Sequence, residues 1–564
     1  VGNVVDTARP GGPALRAAGR AIRSAVAGLG RLVVAHGLFA LVLAVAVALR
    51  WIAVLGYPTA LWFGDSHTYL ESTLRFEPSD LRPSGYSLFL WMLQPRHSLL
   101  WVVGVQHALG VAIGMLVYAL VWRAARAAWP RQRWLPGLVA VPFSAPVLLD
   151  AFQIQLEHLL MSDLLFTFLL TAAVTVAVWR ARPPWWAGAL AGLLMACAAL
   201  TRSVGLPLLL VLVVCMLVRR AGWRAIAAAL VACAIPMLGY MSWYDSVHGR
   251  FALSNSDQIW LYGRTVDFAD CSVIKPRPEV AILCREGVPR NPRIAPAFAA
   301  MWEPGSGFDK LPGGIRDPKA NELAGEFAWA AIKKQPGDYA AVVLRDTLRA
   351  FEWEREAYPT PWTEGKYHFR EGAILSERDA AYGYAYGGDT ARARVVEPYG
   401  KWIRDYQSWA YVRGPFLGAF LLVGLVGMLV RIRRLGGRVL LPWSVSLALL
   451  VVPAATADFD YRYVLPAIPF ALLSVAFALI PESRRTPPEP ADVEPANAAS
   501  ADVEPANVEP ADVEPADVEP VEAMAQEPTD AVRAESEPVT AVESGPRLAD
   551  AAVPEPADTT RAEP

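Results

Sequence analysis

Apolar residues run along this chain in long uninterrupted blocks, separated by short polar and basic stretches. A block of about 17–25 such residues is what an α-helix needs to cross the hydrocarbon core of a bilayer. Ten blocks qualify, over residues 32–55, 99–122, 134–151, 158–179, 185–201, 204–218, 225–244, 414–430, 439–456 and 463–480, the third, fifth and sixth being short or proline-containing. The fold class they predict is mainly α, a polytopic membrane bundle of about ten spans.

Arginine decides the orientation of such a bundle, because basic short loops stay on the cytoplasmic side. With ten spans, the loops starting at Arg123, Arg180, Arg219 and Arg431 all fall on one side, together with Arg484–Arg485 and the basic arm at residues 1–31. That arm carries Arg16, Arg20 and Arg23 at helical spacing, which suits a helix lying on the membrane surface rather than a cleavable signal. The reading is a multi-pass cell-membrane protein with both termini cytoplasmic. Residues 32–244 form an N-terminal membrane module with a first outer loop at 56–98. Residues 245–413 form an extracytoplasmic, mostly helical segment, and 414–480 the last helices.

The outer segment is rich in aromatics, and its stretch "ANELAGEFAWAAIKKQPGDYAAVVLRDTLRAF" predicts two helices broken at Gln335-Pro336-Gly337. It also holds Cys271 and Cys284, and an oxidising exterior predicts a disulfide between them. Cys197, Cys215 and Cys233 lie in spans and read as small packing residues. From residue 481 to 564 the chain becomes an imperfect repeat of Pro, Glu, Asp, Val and Ala, which predicts a disordered acidic cytoplasmic tail.

Composition agrees with this picture. The 564 residues are 54% hydrophobic and 19% charged, too apolar for a soluble enzyme. A net charge of −2 averages a basic membrane part with the acidic tail. No basic-aromatic pattern points to nucleic acid.

The chemistry gathers on the predicted outer side, in four clusters. The loop "FGDSHTYLESTLRFEPSDLRPSGYSLFLW" carries Asp65, His67, Tyr69, Arg82 and Tyr86. "QIQLEHLLMSD" carries Glu157, His158 and Asp163. Thr201-Arg202-Ser203 forms a turn, and "DFDYRYVLPAIP" carries Asp458, Asp460, Arg462 and Tyr463. Ionisable groups beside apolar spans are costly, so four clusters on one side argue for a shared polar cavity. The bland alternative is interfacial side chains reaching to water. A carboxylate there suits proton abstraction from a hydroxyl, arginines suit a phosphate, and aromatic rings suit sugar faces. The chain has no P-loop, so an outer transferase would need a donor already activated in the membrane. A divalent metal at Asp65 with Asp163 or His67 is conceivable, but no metal-ligand spacing is present and no cofactor is required by the pattern.

In their order along the chain, "GDSHTYL", "RPSGYSLFL", "LEHLLMSDLLFTFLL", "ALTRSVGLPLLL" and "DYRYVLPAIPF" resemble the motifs of GT-C-class, polyprenyl-phosphate-dependent membrane glycosyltransferases, over roughly residues 35–480. The resemblance implies inverting transfer of a sugar from a polyprenyl-phosphate donor to a hydroxyl on a glycan, lipid or protein acceptor. It implies Asp65 as general base and Asp163 as a second carboxylate. It also implies Arg82, Arg202 and Arg462 at the donor phosphate, with His67, Tyr69, Tyr86, Glu157, His158 and Tyr461 as substrate contacts. Two departures stand out: Ser84 occupies a position where the family often has proline, and Asp65-Ser66 one where many members have paired acids. The competing readings are a transporter or flippase with a non-reacting cavity, and a non-catalytic assembly protein on the same scaffold. Duplicated halves and charged mid-spans, which favour a transporter, are not evident in the sequence.

Overall fold

A computed structural model of the chain describes residues 12–285, 291, 293–372 and 375–482, with the backbone alone for 12–29 and 31. The acidic repeat, Arg484–Arg485 and the side chains of Arg16, Arg20 and Arg23 lie outside the described residues.

The longer helices of the first half are α1 (Gly12–Gly56), α2 (Ser66–Arg75), α3 (Gly85–Leu93), α4 (Leu99–Ala128), α5 (Leu135–Leu149) and α6 (Ala151–His158). They continue as α7 (Ser162–Trp179), α8 (Trp185–Thr201), α9 (Gly205–Val218) and α10 (Trp223–His248). The later ones are α11 (Asp257–Thr265), α12 (Ala320–Lys334), α13 (Pro336–Arg349), α14 (Gly414–Val430), α15 (Leu440–Thr456) and α16 (Ala467–Leu479). Among the described residues there is no β-strand, only an isolated bridge between Leu61 and Leu159. The chain is a multi-pass helical membrane protein. Among the described residues, five segments are long and apolar enough to cross a bilayer: Leu32–Gly56 of α1, then α4, α7, α10, and Tyr461–Leu479 ending in α16. The pair α5 and α6, bent by 48°, makes a sixth, and α8, α9, α14 and α15 are shorter apolar helices.

One sequence expectation changes here. The stretch between the apolar blocks 134–151 and 158–179 reads as an outer loop, and Ala151–His158 is instead the fully buried helix α6. Asp150 is the cause. Its Oδ1 accepts from the backbone N–H of Phe152 (2.9 Å) and Gln153 (3.0 Å), capping a new helix, while its Oδ2 accepts from Val412 N–H (2.8 Å). A carboxylate at an N-cap satisfies the orphan amides of the first turn, so α5 stops and the chain turns back into the bundle.

Small residues set the closest helix contacts. A Cβ on Gly188 or Gly192 would lie 2.0 Å from the carbonyl oxygen of Ala225 or Ala229, so the backbones of α8 and α10 touch along this face. The Gly-x-x-x-Gly spacing puts both glycines on one side of α8, where close approach replaces the missing hydrophobic drive between helices in lipid. The segment between α10 and α14 has a core of its own. Ile259, Tyr262, Phe308, Phe327 and Ala328 are buried together in it. Cys271 and Cys284 are joined by a disulfide, and the break between α12 and α13 falls at Gln335.

Candidate functional site

The turn that leaves α1 runs through Phe63 and Gly64 to Asp65, which stands at the N-terminus of α2. Ser66 fixes this turn: its Oγ accepts from Phe63 N–H (2.9 Å) and donates to the Leu160 carbonyl (3.0 Å). Asp65 does not cap α2 with its side chain. Its Oδ2 is instead held by Arg82 Nη1 at 2.5 Å and Arg462 Nη1 at 3.3 Å.

The Arg82-Pro83-Ser84-Gly85-Tyr86 turn is placed by its glycine. A Cβ at Gly85 would sit 2.5 Å from the Leu200 carbonyl oxygen and 2.7 Å from Thr201 N, so only glycine lets α3 meet the end of α8. That contact brings Arg82 and Arg202 to one place. Ser84 keeps the N–H that a proline would lack, and it donates to Tyr240 Oη at 3.1 Å. Ser84 Oγ in turn accepts from Ser79 N–H at 2.9 Å. The departure from the family pattern therefore closes two hydrogen bonds that hold the turn.

Arg202 pairs with Asp163, in the first turn of α7, and lies over the Tyr463 ring with its guanidinium 5.0 Å from the centroid. Arg462 comes from the short turn before α16. Asp460 caps that turn and lies 3.2 Å from Arg462 Nε. Tyr367 Oη donates to the Asp460 carboxylate at 2.6 and 2.7 Å, and Arg462 also lies over Phe63 and Tyr463. Three arginines and three carboxylates thus share one buried cluster drawn from α2, the α3 turn, α7, the α8–α9 turn and the turn before α16.

Two cavities meet at this cluster, and both are lined by Arg82, Trp260, Arg462 and Tyr463. The smaller, of 360 Å³, continues past Arg202 to Val204 and Pro207 on the α9 side and to Val452 and Pro453 of α15. The larger, of 440 Å³, holds Asp65 and His67 and is walled by Trp260, Trp302 and Trp362. Burial raises the Asp65 pKa, but Arg82 and Arg462 outweigh it, and the carboxyl is held below its usual range. Burial and Arg378 push His67 down, so its imidazole is neutral at physiological pH. Asp458, also on the larger cavity, is pushed up by burial to about 7, although Arg264 and a hydrogen bond from Tyr358 pull the other way.

Asp65, His67, Tyr69, Arg82, Asp163, Arg202 and Arg462 are therefore brought together. Tyr69 Oη and Ser162 Oγ are 3.0 Å apart. Tyr86 stands behind Tyr69, edge-on to its ring, and donates to Gln106 Oε1 at 2.6 Å. Glu157 and His158 line neither cavity. Glu157 accepts from Arg50 Nε on Oε2 (2.8 Å) and from Nη2 on Oε1 (2.7 Å), and His107 Nδ1 is 2.8 Å from the same Oε2. His107 Nε2 lies 3.1 Å from His158 Nδ1, and His158 Nε2 donates to the Tyr57 and Thr59 carbonyls. All four groups are buried, so this is a satisfied internal network joining α1, α4 and α6, not a substrate contact. Tyr461 also lines neither cavity, and its Oη accepts from Glu356 N–H at 2.9 Å. Sequence reasoning passed over Arg50 and His107, whose signal was an ionisable side chain within a span. It also passed over Trp260, Trp362 and Tyr367, which nothing local distinguishes from other aromatics of the insert.

No protein-family model matches the chain, and no curated protein matches it. Two solved structures are similar. They are crystal structures of ArnT from Cupriavidus metallidurans, one bound to undecaprenyl phosphate and one in the apo state. The alignments cover 78% of this chain and 77% of the other, at 17% and 16% identity and a TM-score of 0.28. A superposition that loose carries no functional argument, which the cluster itself must supply.

The cluster lends itself to anion chemistry next to a carboxylate base. Arg82, Arg202 and Arg462 present planar donors that fit phosphate oxygens in pairs. Among the described residues no three His, Cys, Asp or Glu side chains converge as metal ligands. Asp65 and Asp163 each face arginine instead.

Proposed function

We propose that this chain is an integral membrane glycosyltransferase that moves a sugar from a polyprenyl-phosphate carrier to an acceptor hydroxyl, with inversion, on the extracytoplasmic face. The observation that carries the reading is Asp65 held between Arg82 and Arg462 where a cavity lined by Arg202 meets an aromatic-walled one. The smaller cavity suits the carrier lipid, whose phosphate would lie among Arg82, Arg202 and Arg462. The larger suits the sugar and the acceptor. The segregation of arginine-rich short loops away from the insert supports the sidedness.

The chemistry follows from the charges. With no donor bound, both arginines hold the Asp65 carboxylate and make it a weak base. A donor phosphate drawn between them competes for the same N–H groups, so the carboxylate loses partners and its basicity rises when a reactant is present. Asp65 then takes the acceptor O–H proton as that oxygen bonds to the sugar anomeric carbon. The bond from that carbon to the phosphate oxygen breaks on the opposite face, leaving the carrier as a phosphate monoester whose extra negative charge the arginines hold.

Mass spectrometry of envelope glycans tests this in cells. Replacing the wild-type gene with Asp65→Asn is expected to remove the added sugar while the protein stays at normal level in the membrane. Arg202→Ala and Arg462→Ala are expected to weaken use of the donor. Unchanged glycans with Asp65→Asn would remove the proposal.

A further inference from the structure

A third cavity, of 310 Å³, shares no lining residue with the first two. Tyr57 and residues 59–62 line it, whereas residues 63–65 of the same segment line the larger cavity. Its opposite wall comes from the insert and carries Lys366, His368, Arg370 and Arg394, with no acidic residue in the lining.

Elsewhere in the insert the basic side chains of Arg277, Arg345, Lys401 and Arg404 each meet a carboxylate within 4.0 Å. Among the described residues Lys366, Arg370 and Arg394 meet none, and only His368 has one, Glu364 at 2.5 Å. Lys366 is half-buried, and its Nζ lies 4.9 Å above the Trp362 ring, which is itself a wall of the larger cavity. Desolvation and the neighbouring Arg370 push its pKa down, so the ammonium is held there at a cost. Two further wall residues, Thr59 and Trp62, are buried and carry a polar atom, Oγ1 and Nε1, with no hydrogen-bond partner among the described residues. Native proteins leave few buried polar groups unpaired. The cavity therefore has a wall of clustered cations on the insert side, and the facing segment carries two buried unpaired donors.

We infer that this cavity binds an anionic group, a phosphate or a carboxylate, carried by the acceptor. An anion would offset the charge of Lys366, Arg370 and Arg394. Lys366 lies over Trp362, a wall of the larger cavity, so an acceptor anchored here would lie beside the cavity that holds Asp65. The acceptor clause rests on the transferase reading; the anion site does not.

Calorimetric titration of inorganic pyrophosphate into the full chain in phosphatidylcholine nanodiscs tests the site. An Arg462→Ala background weakens phosphate binding at the transfer site and isolates the third cavity. Binding is expected to persist there and to fall at least tenfold when Lys366→Ala and Arg394→Ala are added. Lys366→Arg is expected to bind as the parent does, which separates charge from folding. Unchanged affinity in the Lys366→Ala, Arg394→Ala protein would overturn the anion site whatever the chain's activity. In transfer assays the same pair should raise the acceptor KM at unchanged donor KM. Competition by phosphatidylglycerol nanodiscs would assign the cavity to a lipid headgroup and overturn the acceptor clause.

Discussion

Asp65 and Asp458 line the same cavity and have opposite electrostatics. Asp65 is ionised across the physiological range because two guanidiniums outweigh its burial. Asp458 is raised to about 7 because burial outweighs Arg264 and Tyr358. A carboxyl raised in the folded state carries a penalty that is fully present above pH 7, fades as pH falls through 7, and is gone below the unfolded value of about 4. Asp458→Asn keeps an acceptor for the Tyr358 hydroxyl while deleting the charge. Its thermal unfolding midpoint is expected to rise relative to wild type at pH 8 and to rise by clearly less at pH 5, where most of the penalty has faded. A drop at pH 8 would show that the ionised form is the stabilised one. The residues of this cluster differ in how readable they were. Asp65, Arg82, Arg202 and Arg462 stood out as charges beside apolar blocks, and they do share a site. Glu157 and His158 gave the same signal for a different reason, because a buried pair that satisfies itself leaves the same mark on a sequence as a ligand contact.

At the scale of elements, backbone contact matters more than side-chain size. Gly192 meets Ala229 through main-chain atoms at 2.0–2.7 Å from a notional Cβ, and main chain cannot rotate away. Gly192→Ala should therefore force α8 and α10 apart and cost about 1–3 kcal/mol. Gly239, in α10 with nothing within 4 Å of its Cβ position, is the control, and Gly239→Ala should be neutral or slightly stabilising. Equal unfolding midpoints for the two variants in detergent would deny the close α8–α10 seam. Hydropathy located a helix at every expected span, since length and apolarity alone decide what lies in lipid. The break after α5 needed more. Asp150 ends that helix by capping the next, and its second oxygen bonds Val412, more than 250 residues away, a pairing no local pattern announces.

For the whole molecule, the insert completes the site. Trp260, Trp302, Trp362 and Tyr367 lie far along the chain from Asp65 yet close around it, which is why composition could mark the insert as aromatic but not as a wall of the site. The sidedness is testable at the same scale. With Cys197, Cys215 and Cys233 replaced, a membrane-impermeant maleimide should label Glu377→Cys on intact cells and reach Arg131→Cys only after permeabilisation. Both positions are exposed. The reverse pattern would turn the protein over.

The central claim is that Asp65 takes a proton while a sugar leaves a lipid phosphate. Purified chain in nanodiscs, given polyprenyl-phosphate-linked sugars and a hydroxyl acceptor, should release polyprenyl phosphate in step with a new glycoside. That glycoside's anomeric configuration, read by NMR, should be inverted. Asp65→Asn should slow this release by about 10²–10⁴-fold without loss of donor binding. Release at the wild-type rate by Asp65→Asn, or retention of configuration in the product, would contradict the account.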